Sequence, residues 1–441
     1  MLHAEVVIIG KGVAACAMAL ALKKRGVQHI LIAGREPAVS EDISETLPLA
    51  AHHLLCNLDI GHLVNNCPVS TGIISKWNAK QTLVRETVFE VFDSSWQLNK
   101  AGFVRDLHNQ VIKENIPCIT VSHLQNVYRD EKPKWRLQFK HGLAEYHVSA
   151  SFVVDASGRN AVFARKQGAN KIMFDHQVAV TGVFAAGNEP EAKITSFIES
   201  MPDGWCYSAL SSSNTRFVSL YTDADILNDL QLNKKQQWLE YLHRSELFSR
   251  VTGDAKLVNI SVCPASSHFT EPTVAPGWLA IGDACYSVDP LTSGGVFHAL
   301  YTAISSADYL LDYSGGRAAA LGDLSEANRQ RFESYLQQRT TIYRSVTHFP
   351  GSKYWERRHE RVSLSPGQLI QCREPGMRAK ELETLNTYLS AEEWEELYAL
   401  CRIKSPAHHI ISNFNKRRPA VPVKRTILAL QFLIERGIIV K

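Results

Sequence analysis

The chain has 441 residues, a length that suits two or three domains rather than one. Its 45% hydrophobic and 21% charged content is that of a globular protein with a sizeable core, which excludes a disordered or fibrous chain. The net charge of +4 is unevenly spread, with 16 Lys and Arg against 10 Asp and Glu from Gly351 onward.

That basic final fifth mixes in acidic runs such as "AEEWEEL" and reads as a solvated helical surface, so no nucleic-acid partner is expected. Nine scattered cysteines, an odd number without C-x-x-C spacing, point to reduced thiols in a cytoplasmic compartment. They argue against a disulfide framework and against a metal site. The chain enters an apolar strand by Glu5 without a basic leader, so no signal peptide is expected. The late apolar run "TILALQFLIERGIIV" is broken by Glu435 and Arg436, so no membrane span is expected.

In chain order, "AEVVIIGKGVAACAMALALKKRGVQHILIAG" reads strand, glycine turn, helix, strand. Val6 to Ile9 form a buried parallel-type strand. Gly10, Gly12 and Ala15 make G-x-G-x-x-A, which permits a tight turn and backbone approach to a pyrophosphate at a helix N-terminus. The second strand of such a unit usually ends in an acid that binds the adenosine ribose. Ala33 and Gly34 stand there instead, with Arg35 and Glu36 beyond. Either Glu36 reaches back or the ribose is held differently.

"LNKAGFVRDLHNQVIKENI" predicts a helix entered near residue 100, and "ASFVVDASGRNAVFARKQG" a buried strand ending in Asp155. "VAVTGVFAA", "GWCYSAL" and "TRFVSLYT" read as further strands. The apolar "PGWLAI" then runs into "GDACYSVDPLTSGG" (282–295), a polar, glycine-rich strand-to-helix turn of the kind that approaches ligands closely. "RAKELETLNTYLSAEEWEELYALCR" and "TILALQFLIER" have helical periodicity, with Pro-rich "RRPAVPVKR" as the joint between them.

The ordered set "GKGVAA", "FVVDASGR" and "IGDACYSVDPLTSGG" resembles the FAD-dependent monooxygenases of the p-hydroxybenzoate hydroxylase type over about residues 4 to 360. The resemblance implies an α/β fold. Its parts are a Rossmann-like, glutathione-reductase-type FAD domain (1–75, 98–168, 270–345), an inserted mixed-sheet substrate domain (76–97, 169–269) and a helical C-terminal unit (346–441). It implies non-covalent FAD. Gly10, Gly12, Ala15, Glu36, Asp155 and Gly158 would lie around the dinucleotide, Asp155 and Gly158 as contacts or as structural support. Gly282 and Asp283 would meet the ribityl chain, Asp289 and Pro290 would shape the wall beside the isoalloxazine, and Gly294 and Gly295 would bring N–H groups to its pyrimidine edge. Lys100 occupies the place of the family's usual flavin-contacting Arg.

Five further stretches resemble the halogenase-like branch: "ISETLPLAAHHLL", "ISKWN", "DGWCYSAL", "LYTDAD" and "YRSVTHFPGSKYWERR". They are most similar to the flavoproteins that hydroxylate a protein tryptophan in tryptophylquinone biosynthesis (the LodB, GoxB and QhpG group). The W-x-W-x-I-P signature of tryptophan halogenases keeps only its first Trp, at Trp205, and Lys76 lacks the context of the halogenase lysine. The implied enzyme is a monooxygenase acting through a flavin C4a-hydroperoxide. O2 is its co-substrate, NAD(P)H or reduced flavin its reductant, and a precursor protein carrying the target tryptophan its partner. A small aromatic substrate, or a flavoprotein assembly factor without turnover, are the alternatives. Glu45, His52 and His53 are the acid–base candidates, against helix-entry, packing or surface roles. Trp77, Trp205 and Tyr207 would line an aromatic substrate pocket or simply pack the core.

Overall fold

The computed structural model describes residues 1–36, 44–70, 72–78, 83–86, 95–130, 134–185, 195–210, 215–292, 294–359, 364, 366–372, 388–435 and 438–440. β1 (Leu2–Ile9) turns through Gly10 to Gly12 into α1 (Val13–Lys24) and returns as β2 (Ile30–Gly34). Then follow β3 (Ser44–Pro48), α2 (Leu49–Asn57), β4 (Gly72–Lys76), β5 (Leu83–Glu86) and β6 (Ser95–Asn99). α3 (Lys100–Lys113) starts at Asn99, whose side chain accepts from Gly102 N–H at 2.7 Å and so satisfies one free donor of the first turn.

β7 (Cys118–Thr120), β8 (His123–Arg129), β9 (Trp135–His141) and β10 (Ala144–Asp155) come next, then α4 (Val162–Lys166) and β11 (Asn170–Met173). β12 (Gln177–Ala185), β13 (Thr195–Met201), β14 (Gly204–Leu210) and β15 (Thr215–Asp223) lead into α5 (Ala224–Asp229), α6 (Lys235–Leu242) and α7 (Glu246–Thr252). The chain continues as β16 (Leu257–Pro264), β17 (His268–Glu271), β18 (Val274–Ala275), β19 (Trp278–Ala280) and β20 (Tyr286–Ser287), followed by α8 (Gly295–Ser314), α9 (Ala320–Arg344) and α10 (Lys353–His359).

Two large sheets organise these elements. In the first, β1 lies parallel to β10 on one side and β2 on the other, with β19 and β7 parallel beyond them. Burial on both faces explains the continuous apolar run Val6 to Ile9. Val6 and Ile8 face α1 and α8, while Val7 and Ile9 face a second core that contains Phe139 and Phe163. α1 carries alanines where it meets α8, and small side chains let the two helices and the sheet approach closely.

The second sheet has seven strands in the order β16-β12-β15-β14-β13-β4-β5. The first expected FAD segment, running to residue 75, therefore ends in a strand, β4, that belongs to this second sheet through parallel pairing with β13. Likewise β11 pairs with β17 rather than with the seven-stranded sheet. One face of the sheet carries Val180, Cys206, Val218 and Leu220 against α5 to α7, with Trp238 fully buried between them. Alternate residues project from the opposite face.

The C-terminal helices Ala391–Cys401, Ala407–Arg417 and Val423–Glu435 close over their own core of Trp394, Phe414 and Leu430. The helix expected over 378–402 is described from Ala391, where Ser390 and Glu393 form a capping box; residues 378–387 lie outside the described residues. Short strands also occur in this unit, with Leu369–Cys372 pairing with Ser405–Pro406 and with Ile439–Val440. Among the described residues no helix is long and apolar enough to cross a membrane.

Candidate active site

The glycines of the first turn make a cleft of about 1020 Å³ at the carboxyl ends of β1, β2 and β10. Gly10 has φ +133°, and a Cβ placed there would stand 2.2 Å from the Ala156 carbonyl oxygen. A Cβ on Gly34 would come 2.7 Å from the Gly10 carbonyl carbon. Only bare backbone lets these two strand ends meet. Gly12, at the N-cap of α1, has nothing within 4 Å of its missing side chain, so the open side of the turn faces the cleft. Ala15 is fully buried against the sheet.

Glu36 lines this cleft. Lys11 Nζ donates to Glu36 and to Thr120 Oγ1, and Thr120 Oγ1 donates to Glu36 at 2.6 Å. The Lys11 hydrogen bond, then that of Thr120, holds the Glu36 carboxyl below its usual range. The displaced acid is therefore an ordered anion at the cleft rim. A glycine-floored cleft at a helix N-terminus with a carboxylate at its far end is the donor and acceptor set that a dinucleotide requires.

Asp155 is fully buried and has a different task. Its carboxylate accepts from Ser157 N–H and Oγ and from the Phe163 and Ala164 N–H groups, at 2.6 to 3.0 Å. Burial raises its carboxyl above the usual range, opposed by these bonds. It ties the end of β10 to the start of α4 and positions the cleft wall. Gly158, with φ +69°, lines the cleft itself.

Beyond the cleft, four charged groups from distant segments, Glu45, Lys100, Arg159 and Asp283, lie near one another. β3 and β6 pair with Glu45 opposite Leu98, which sets Lys100, the first residue of α3, against the Glu45 carboxylate in an ion pair. Glu45, then Asp283, raises the Lys100 ammonium, with burial opposing. Asp283 sits in a short turn, Gly282–Ala284, and faces Arg159 Nε at 3.5 Å. Gly282 has φ +55° and donates its N–H to Thr302 Oγ1 at 2.8 Å, which locks the turn to α8. Gly294 caps α8 and Gly295 opens it, with no atom near its missing Cβ. Pro290 begins the short turn Pro290–Thr292 beside them.

His52 and His53 stand apart from this group. His52 packs on Trp96, ring centroids 4.7 Å apart, and His53 is exposed. Among the described residues neither hydrogen-bonds to Glu45, Lys100 or Asp283.

The face of the seven-stranded sheet opposite α5 to α7 is aromatic and hydroxylated. Trp205 stacks on Tyr221 at 4.0 Å and Trp77 meets Trp205 and Trp355 edge-on at 6.0 and 5.7 Å. Trp205 is 1% exposed and donates from Nε1 to Tyr343 OH at 2.9 Å. Tyr207 is only half-buried; its hydroxyl lies 3.0 Å from Thr46 Oγ1, next to Glu45, and 3.1 Å from Ser196 Oγ. Among the described residues Tyr207 is the one of the three predicted pocket aromatics that hydrogen-bonds to the strand carrying Glu45. Lys76 projects from the other face and pairs with Glu199 at 3.1 Å.

Several contributors were not singled out from sequence, and Asp289 was read there only as part of the wall beside the flavin. Lys11 and Thr120 fix Glu36, and Arg159 pairs with Asp283. Asp289 is a buried hub that accepts from Gln177 Nε2 at 3.0 Å and Tyr343 OH at 2.8 Å, with Arg339 Nε at 3.3 Å. "SVDPLTSGG" signalled the turn around Asp289, but its partners come from β12 and α9. Lys11, Arg159 and Asp289 lay inside quoted motifs and Thr120 did not, but no local pattern shows which partners they meet.

No family model matches the chain. It is 26% identical to LodB of Marinomonas mediterranea, named as an FAD-dependent oxidoreductase, over 361 residues that cover 80% of this chain and 96% of LodB. The structure of the peptidyl tryptophan dihydroxylase QhpG superposes with a TM-score of 0.65 at 18% identity and covers 99% of both chains. The myxobacterial chondrochloren halogenase CndH gives a TM-score of 0.72 at 18% identity over 82% of this chain and 87% of its own. The chain is thus similar in sequence to LodB and shares its fold with QhpG and CndH.

Proposed function

We propose that the chain is a monooxygenase that hydroxylates an aromatic ring, a tryptophan side chain of a precursor protein during tryptophylquinone biosynthesis. The observation that carries this reading is the Glu45–Lys100 ion pair near Asp283 and its partner Arg159, on the strand whose Thr46 meets Tyr207 of the aromatic sheet face. Relatedness to LodB and the shared fold of QhpG support the choice of substrate.

FAD fits the residues present. Gly10 and Gly12 leave room for a pyrophosphate, Glu36 is ordered for a ribose hydroxyl, and Asp283 offers an acceptor for the ribityl chain. When bound and reduced, FAD supplies electrons to O2 and so provides an electrophilic oxygen. Everything else falls to the chain. Tyr207 and the neighbouring hydroxyls orient the ring, and the sheet with its helices keeps bulk water away. Glu45, an anion held by Lys100, accepts the ring proton as aromaticity returns.

The test combines FAD-loaded protein, O2 and, in separate arms, NAD(P)H or a reduced-flavin supply, with a precursor subunit, free tryptophan or indole as substrate. Oxygen added to the precursor's tryptophan is the expected product by mass spectrometry. Oxygen added only to free aromatics points to a small-molecule hydroxylase, and no product with any substrate points to an assembly factor. Halogen incorporation in the presence of chloride or bromide overturns hydroxylation. Glu45→Gln should lower turnover by about 10²-fold or more while FAD stays bound.

A further inference from the structure

The edge of the seven-stranded sheet nearest the charged group is open. β16 is its terminal strand, and among the described residues it pairs with β12 alone. Val258, Asn259 and Ser261 to Pro264 are exposed and Ile260 is half-buried. No Asp, Glu, Lys or Arg occurs from Leu257 to Thr270. Edge strands normally carry charges that prevent mispairing. The opposite edge, β5, does so with Arg85 and Glu86 in its sequence. β16 instead presents "VNISVC", uncharged and suited to strand pairing.

The register shows which backbone groups are free. Ala265 N–H donates to Gln177 O at 2.9 Å, which makes Cys263/Ala179 and Ser261/Thr181 the hydrogen-bonded pairs. In an antiparallel ladder the residues between them turn their N–H and C=O groups the other way. Ile260, Val262 and Pro264 therefore point theirs outward, and Asn259 Oδ1 already takes the Ile260 N–H at 2.8 Å. Among the described residues the Val262 N–H remains as a donor and the carbonyls of Ile260, Val262 and Pro264 as acceptors. A row with a two-residue repeat, about 6.8 Å, is matched by another extended backbone.

The side chains of Ser261 and Cys263 share the sheet face of Tyr207 and Tyr221, because Ser261 aligns with Thr181, Ser219 and Tyr207, and Cys263 with Ala179 and Tyr221. Burial raises the Cys263 thiol and the nearby Arg159 and Lys100 oppose it, which puts this end of the strand in the neighbourhood of the charged group. We propose that an extended segment of the polypeptide substrate adds to the outer edge of β16 as an eighth strand, presenting its target ring beside Cys263 towards Lys100 and Asp283. The assignment rests on the polypeptide-hydroxylase reading above and gives it a docking mode.

The experiment is amide hydrogen exchange on the FAD-loaded full chain with a defined probe, an acetylated and amidated peptide of Ser and Thr around one central Trp. Bound peptide should slow exchange within residues 258–264 by about tenfold or more. Two analogues, N-methylated at alternate residues in opposite phases, keep every side chain; one should lose the protection and the other retain it. Val262→Lys, whose side chain leaves from the α5–α7 side of the sheet, should weaken peptide binding while its melting temperature and FAD retention stay near those of the parent. Equal binding by both analogues overturns the proposal, as does peptide oxygenation without protection at 258–264. Failure of the peptide both to bind and to react also overturns it, while the hydroxylase reading survives if free indole is oxygenated. Protection at β16 without oxygenation of any substrate would keep the edge and sink the hydroxylase.

Discussion

In the glycine cleft the working parts are backbone: Gly10, Gly12 and Gly34 contribute shape by having no side chain, within 25 consecutive residues. Across the site, the sheet face works through side chains drawn from far-separated segments, with Trp77, Trp205, Tyr221, Tyr343 and Trp355 packed in one cluster. A backbone-built wall fails when a single carbon is added, because neighbouring backbone cannot move aside. A side-chain wall shares its energy over many contacts and loses a part at a time.

The largest expected effect tests the first half of that contrast. Gly10→Ala puts a Cβ against the Ala156 carbonyl at a φ that L-residues avoid, and should destabilise the fold by about 4 kcal/mol or more in urea unfolding. Gly12→Ala, with open space at its Cβ, should stay within about 1 kcal/mol of the parent and lose FAD retention instead. If both variants melt alike, steric closure is not what shapes the cleft.

Next in size is Asp283→Ala, which removes the acceptor paired with Arg159 and should weaken FAD by about 1–3 kcal/mol in a fluorescence titration. Unchanged affinity would remove Asp283 from the cofactor site.

His268 makes a pH-dependent test. It lies behind Asp283, with Nε2 3.0 Å from the Asp283 carbonyl oxygen. Burial, aided by Lys171 and Arg159, lowers its pKa from 6.5 to about 3. The folded protein keeps the ring neutral while the unfolded chain protonates it below 6.5, so stability falls as pH drops from 6.5 towards 3. The slope approaches about 1.4 kcal/mol per pH unit for this one group. His268→Asn should flatten the fall in melting temperature between pH 6.5 and 4; an unaltered slope would show that other groups govern it.

The smallest effect probes the side-chain wall. Tyr343→Phe deletes the hydroxyl that accepts from Trp205 Nε1 and donates to Asp289, and should cost about 1–2 kcal/mol. A loss as large as that of Gly10→Ala would erase the distinction between the two walls.

What could be read in the sequence follows the same division. The βαβ unit, the strand ending at Asp155 and the Gly282–Gly295 turn are local patterns, in which apolar runs, glycines and polar turn residues force the backbone within a short window. The strands read at "VAVTGVFAA", "GWCYSAL" and "TRFVSLYT" match β12, β14 and β15 for the same reason. The position of Glu36 past the strand end left the ribose question open, because its answer depends on Lys11 and on Thr120, 84 residues further along.

The sequence by itself determined where the backbone must turn, and therefore where a dinucleotide can lie, since glycine's freedom and strand periodicity are properties of consecutive residues. Only the tertiary structure decided which side chains share the chemistry. It joined Glu45 to Lys100, set Asp283 against Arg159, buried Trp205 on Tyr343, turned His52 onto Trp96 and left β16 open. Those outcomes depend on strand order and register between distant segments, and a register shift of one residue would move every side chain to the other face.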